Sequence, residues 1–218
     1  MNTSRLYYPR HTILWDEITL DDQDLAHDSE HIMRVYRWTV QLAADEDVDP
    51  DLAGAAALVH DLVNIPKESK DRSLASEKSA IVGAKILPKA GYSPQEIEKI
   101  IEAVRTCSWS RGEKATAKLG EVLQDADRLD SLGAIGIMRN IACAQAMRTR
   151  GNIGCFYDPE DPFGKERKDL NDKQYAIDHY PIKLLKLANN MNTETAKQEA
   201  QRRHRFMLQF LFALAQEI

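Results

Sequence analysis

Apolar positions in this chain recur at three- and four-residue spacing, and no stretch of useful length alternates apolar with polar. A weakly apolar stretch, Thr12 to Leu20, predicts a short helix, and Asp21, Asp22 and Asp24 an acidic turn. The first strong pattern follows. Ile32, Val35, Tyr36, Thr39, Leu42 and Ala43 share one helical face, opened by Asp28 or Ser29 as N-cap with Glu30 in the first turn. Asp45 to Pro50 is a polar break. Leu52 to Val63 then reads as a central helix, rich in alanine and stopped before Pro66. Ile65 to Ser73 is a loop with three cations, Lys67, Lys70 and Arg72. Leu74 to Ala90 predicts a helix that ends near Gly91. Ser93-Pro94-Gln95-Glu96 opens another, running to about Thr106. After the polar stretch Ser108 to Lys114, the span Leu119 to Arg148 reads as helical throughout. Its small residues, among them Gly133, Ala134, Gly136 and Ala142, imply close helix contact more than a break. Arg150 to Asn171 is the longest loop, and Gln174 to Leu187 and Thr193 to Glu217 are two closing helices. With no internal repeat, the fold class is all-α.

Composition narrows the reading. At 218 residues and 43% apolar, the chain is expected to form a single domain over 1–218, with a core at about 24–148 and a C-terminal helical part at about 172–218. A net charge of −5 argues against binding a nucleic-acid polymer, which wants a basic face. Cys107, Cys143 and Cys155 form an odd set without paired spacing, as expected in a reducing cytoplasm. No signal-peptide pattern occupies Met1 to Arg10, and no uncharged run is long enough for a membrane span. The pattern gives no oligomeric state.

Three features carry chemistry. His60-Asp61 ends the central helix, and burying two such groups without partners is costly. They either satisfy each other and the backbone or hold a divalent metal. His27 and His31 are four apart, on one helical face. The string His27-Asp28-Ser29-Glu30-His31 is also a distant variant of the two-histidine helix of zinc proteases, with Asp28 in place of the glutamate. Asp125, Asp127 and Asp130 lie among Val122, Leu123, Ala126 and Leu129, so at least one aspartate is expected to point inward; otherwise they are an acidic first turn of the following helix. Together His31, His60, Asp61 and Asp127 make a set of two imidazoles and two carboxylates. Such a set suits one Mn, Fe, Co, Ni or Zn ion per chain, with Mg less natural.

The ordered set resembles that of the HD-domain metal-dependent phosphohydrolases, an all-α family, and the chain is similar to their bacterial YedJ-like branch. The matching stretches are Ala26-His27-Asp28 with His31 and Arg34-Val35, then His60-Asp61-Leu62-Val63 with Lys67 and Arg72. Val122 to Gly136 is the most specific block, followed by Asp161-Pro162-Phe163-Gly164 and Asp178-His179-Tyr180 with Lys183 to Leu187. The resemblance implies an HD-domain helical bundle with His31, His60, Asp61 and Asp127 as metal ligands. It also implies hydrolysis of a small phosphorylated metabolite, a nucleotide, by metal-activated water. Two positions depart from the pattern. Asn64 stands where nucleotidases of this family carry a glutamate, and Cys107 where relatives tend to carry a histidine.

Within that reading, Asp125 is the candidate base, or else orients a ligand histidine. Lys67 and Arg72, following the ligand pair, are the cations expected to meet phosphate; otherwise they are a solvated loop. Arg128, His27, Asn64, His179 and Lys183 are further candidates for the substrate side, against a plain surface or pairing role. Two alternatives are release of pyrophosphate from nucleoside triphosphates, and a signalling module that keeps the metal without turnover.

Overall fold

The computed structural model describes residues 6–19, 25–151 and 154–218, apart from the side chain of Ser110. Asp21, Asp22 and Asp24 lie outside the described residues. The architecture is all-α. Among the described residues no strand forms, and the sole β-type pairing is an isolated bridge between Cys155 and Tyr175.

Helix α1 spans Pro9–Asp16, starting earlier than its apolar pattern because Pro9 sits in the first turn. Helix α2 spans Ser29–Asp45; the Asp28 side chain accepts from the His31 N–H at 2.8 Å and caps it. Helix α3 spans Pro50–Val59, capped by Asp49. It is shorter than the apolar run predicts, since Leu62 and Val63 belong to the turn that follows. All residues from Leu52 to Val59 are buried. Small side chains let α1 and α2 approach it closely: a Cβ on Gly54 would collide with the His11 and Tyr36 rings. His11, wholly buried, ties these elements together through the Tyr36 hydroxyl and the Asp51 carbonyl, both at 2.9 Å.

Helix α4 (Ala75–Ile86) tightens into a 3-10 turn, Leu87–Ala90, and stops at Gly91 in the left-handed region. Helix α5 (Pro94–Thr106) opens with a complete Ser93–Glu96 capping box. The span expected as one helix is two, α6 (Lys118–Asp130) and α7 (Gly133–Thr149). Gly133 has φ of 71°, a conformation side chains disfavour, so this glycine does break the helix. The aspartates therefore sit in the last turns of α6, not in a first turn.

After α7 the chain runs without a helix to Ala176 among the described residues. The closing helix expected at Gln174 to Leu187 is a composite. A 3-10 turn (Ala176–Asp178) leads to a π-helical turn (Tyr180–Leu184) and one α turn, α8 (Leu185–Leu187). Pro181 has no N–H to donate, and Leu185 N–H reaches back five residues to the Tyr180 carbonyl. Helix α9 (Glu194–Glu217), capped by Thr193, packs across α7 and α6. One apolar core, centred on Tyr36, Leu58, Ile100, Leu123 and Leu129, joins α2, α3, α5 and α6.

Candidate metal centre and cleft

Two buried imidazoles face the same point. His60 is the first residue past α3, and its Nδ1 donates to the Ala57 carbonyl at 2.7 Å, leaving a bare, buried Nε2 with no hydrogen-bond partner. On α2, His31 donates from Nδ1 to Asp130 Oδ2 at 2.7 Å, which likewise leaves Nε2 as an acceptor. Asp127 Oδ1 lies 3.8 Å from His31 Nε2 and 4.0 Å from His60 Nε2. The ligating atoms of these three residues all fall within 4.8 Å of one another. Asp61 Oδ2, from the turn after His60, is 3.9 Å from His31 Nε2.

The electrostatics agree with this geometry. Burial pushes His31 down to about 4, helped by Arg139 and opposed by Asp130. Burial alone would raise Asp61, yet His27, His60, His31 and Arg72 hold it at about 2. Asp127 is also lowered, against its burial, by His60 and His31. Two neutral nitrogens and two ionised carboxylates, all acceptors, have no donor among them to satisfy the orphaned His60 nitrogen. A divalent cation fits that set, and a hydrogen bond within it does not.

Asp130, one of the three aspartates of α6, has a role that sequence pattern does not assign to it. It follows Asp127 by three positions on α6 and so shares its face. Its carboxylate is buried and gathers His31 Nδ1, Arg34 Nε at 2.7 Å and Arg139 Nη1 at 3.1 Å. These partners hold it below the usual carboxylate range against the pull of burial. It fixes the tautomer and orientation of His31, the role for which Asp125 was weighed. Asp125 itself does not come to the site. It lies two residues before Asp127, roughly 200° around the helix at about 100° per residue. Its carboxylate instead accepts from the Asn192 and Thr193 backbone N–H groups at 2.8 and 2.7 Å and from Thr193 Oγ1 at 2.9 Å, anchoring the start of α9.

The metal-facing pit, of about 80 Å³, includes His27, Arg72, Cys107, Arg139 and Lys183 in its rim. It opens into a cleft of about 390 Å³ that also takes in Lys67, Trp109, Asp172 and His179. Arg72 is brought to both by its own loop. Its Nη1 donates to the Ile65 carbonyl at 2.6 Å and to Asn64 Oδ1 at 3.2 Å, so Asn64 acts here as the support of Arg72. The same turn is pinned to α4 where Val63 N–H donates to Ser79 Oγ at 3.0 Å. Lys67 Nζ meets Asp172 Oδ2 at 3.4 Å, and His179 Nδ1 contacts the same carboxylate oxygen at 2.6 Å. Burial lowers His179 to about 4, and Lys183 to about 8.

His27 lines both cavities, its ring 6.0 Å from that of His31. Arg128 does not reach either. It donates to the Asn190 carbonyl at 2.6 Å and to Gln124 Oε1 at 2.8 Å, packed beside Trp109. A cation that does line both, beside Arg72 and Lys183, is Arg139, in the second turn of α7, whose Nε donates to the Ala26 carbonyl at 2.8 Å.

Comparison with known proteins decides the family. The HD domain model matches residues 28–132, which contain all four expected ligands. The YpgQ protein of Bacillus subtilis is 33% identical over 208 residues, 94% of this chain and 90% of that one. The chain belongs to the HD-domain family of metal-dependent hydrolases. A structure of YpgQ in complex with ADP superposes with a TM-score of 0.68 at 29% identity, covering 96% of this chain and 95% of that one. A Lactobacillus plantarum protein gives a TM-score of 0.73 at 28% identity, over 97% and 98% of the two chains. An HD-superfamily hydrolase from Bacillus thuringiensis gives 0.61 at 30% identity, over 95% and 94%. HD domains bind divalent metal ions, and His31, His60 and Asp127 are placed to hold one here.

Proposed function

We propose that this hydrolase cleaves a phosphate ester or anhydride of a small metabolite, a nucleotide, at the pit formed by His31, His60, Asp61 and Asp127. One observation carries the reading. The acceptor set of His31, His60, Asp61 and Asp127 faces a pit and cleft whose walls hold four cations, Lys67, Arg72, Arg139 and Lys183. Carboxylates alone would repel a phosphate; the cations reverse the sign of the field on the side where substrate must enter. The ADP held by YpgQ supports a nucleotide as the class of substrate.

The four ligand residues would hold one divalent ion, which when bound acidifies a water and polarises a phosphoryl oxygen. The remaining work belongs to the chain. Asp130 keeps His31 in the Nδ1–H tautomer, and Ala57 does the same for His60, so that both Nε2 atoms stay unprotonated. Arg72 and Lys183 at the shared rim, with Lys67 further out, would bind and orient the phosphoryl oxygens, and Arg139 would add charge behind them. Asn64 can hold Arg72 but cannot take a proton, so no base is assigned to that position. Trp109 in the cleft wall offers a flat apolar surface for a base.

The test is a screen of purified protein with Mn, Co, Ni or Mg against nucleoside mono-, di- and triphosphates, separating orthophosphate from pyrophosphate as product. Turnover of a nucleotide that depends on added metal is the expected result. Orthophosphate from monophosphates marks ester hydrolysis, and pyrophosphate from triphosphates marks the anhydride reaction. Metal binding without turnover of any of them overturns the proposal.

A further inference from the structure

A second cavity, of about 340 Å³, opens on the far side of Asp130 from the metal pit. It lies where α2, the first turn of α7 and α9 meet. Its size is at the lower end for a small-molecule site. Its wall holds four arginines, Arg34, Arg37, Arg202 and Arg203, with Trp38 and Phe206 beside them. One carboxylate, Asp130, lies in the wall, and Glu199, Asp28 and Glu30 act on its arginines from outside. Asp130 takes Arg34 and, from the other side, Arg139. Glu199 takes both Arg202, at 2.7 Å, and Arg203, at 2.6 Å. Half-buried Arg37, in the wall of the same cavity, makes no hydrogen bond or ion pair among the described residues. The wall itself holds four cations and one carboxylate, a positive lining on a chain that is negative overall. The first turn of α7, also in the wall, has no side-chain cap, and its N–H groups favour the same sign of ligand. Arg203 stacks over Trp38 at 5.1 Å, a flat surface beside the charge.

We propose that this cavity is a second, regulatory binding site for a small organic phosphate with an aromatic part, coupled to the metal pit through Asp130. The coupling path is short and fully hydrogen-bonded. Arg34 donates to both Asp130 oxygens, at 2.7 and 3.1 Å, and Asp130 accepts from His31 Nδ1 at 2.7 Å. A phosphate in the cavity competes for Arg34. Asp130 then has one cation fewer and draws harder on the His31 Nδ1–H, which makes Nε2 a better donor to metal. Anion and metal therefore strengthen each other's binding, and by linkage the effect is the same in both directions.

Calorimetry on the Mn(II)-loaded protein with the methylene-bridged analogue of ADP tests this, with inorganic pyrophosphate as the purely anionic probe. Wild type is expected to bind two equivalents of the analogue, and pyrophosphate more weakly at the second site for want of stacking. Arg37→Ala/Arg202→Ala should weaken that second site at least tenfold and leave the first intact. Lys67→Ala/Arg72→Ala should do the reverse, which keeps this proposal separable from the assignment of the cleft. Arg37→Lys should restore part of the lost binding. The Mn(II) dissociation constant, read by electron paramagnetic resonance, should fall severalfold when the second site fills in Lys67→Ala/Arg72→Ala protein. A single equivalent in wild type, unaffected by Arg37→Ala/Arg202→Ala, overturns the site. Two equivalents with an unchanged Mn(II) constant overturn its regulatory role.

Discussion

The metal pit and the cleft in front of it share residues yet are built by opposite means. The pit draws on α2 and the end of α3, each with a side-chain cap, and on the largely buried α6, and its histidines are each fixed by one short hydrogen bond. The outer cleft draws on a loop, a segment without a helix and a π turn; Lys67 is held by a half-buried ion pair to Asp172, and Arg72 by hydrogen bonds to uncharged oxygens. The difference suggests a division of labour. Groups whose protonation state must not change are placed in the bundle, where burial and a single partner decide it. Groups that must exchange partners when a substrate arrives are placed where the chain can give.

The largest expected effect lies in the pit. Asp61→Ala or His60→Ala should abolish metal retention and cut turnover by more than about a thousandfold, ~4 kcal/mol in barrier. Elemental analysis beside wild type is the check, and equal metal content in Asp61→Ala removes that residue from the ligand set. Protons should compete for His31 only as the pH nears 4, its value in this fold, well below an ordinary histidine.

Next comes Asp130→Asn, which keeps the shape but loses the charge behind His31. Metal affinity should drop roughly 10- to 100-fold, measured by competition with a chelating dye. The variant also has a pH signature. Asp130 is depressed in the folded state, so its contribution is complete above the unfolded value of about 3.9 and fades as pH falls below it. Wild-type denaturant midpoints should therefore decline more steeply than those of Asp130→Asn below about pH 4.

In the cleft the effects should be smaller and purely kinetic. Lys67→Ala and Arg72→Ala should each lower kcat/KM by roughly 10- to 100-fold, the loss of one charge-assisted contact of about 1.5–3 kcal/mol, with metal content unchanged. Arg128→Ala is the contrast. It should lower the melting temperature through its lost ties to Asn190 and Gln124 and leave KM near wild type. If Arg128→Ala instead raises KM tenfold, the substrate lies deeper than the cleft wall suggests.

The smallest effect belongs to Cys107. Burial pushes its thiol up, so it is neutral and a poor nucleophile. Cys107→Ser should keep activity within about tenfold, roughly 1.4 kcal/mol in barrier at most. Complete loss in a folded protein would give the pit a chemistry it has not been assigned.

Sequence pattern captures the bundle well because its helices carry their own punctuation. Asp28, Asp49, Ser93 and Thr193 all cap as their residue types predict. It brings out His31, His60, Asp61 and Asp127, which the fold places side by side, because they interrupt apolar faces. It fails where the decisive fact is direction around a helix. Asp125 and Asp130 look alike in a row of acids, yet only Asp130 shares a face with Asp127. Counting about 100° per residue from Asp127 would have separated them, and would have turned Arg128 away as well. Arg139 carries no such signal, since its partner Asp130 sits on another helix. The segment from Gln174 to Leu187 misleads for a local reason, a proline within an otherwise helical pattern.

The π turn that carries Lys183 has a consequence for how this wall of the cleft tolerates change. A π turn holds one residue more than an α turn in the same space. Deleting a single residue between Tyr180 and Leu184 need not unravel the segment; it can relax into ordinary α-helix that runs straight into α8. What it cannot preserve is the facing of the side chains inside the turn. The flanks keep their register, while the residues within are re-spaced to about 100° apart, and Lys183, one of them, loses the facing that lines the cleft.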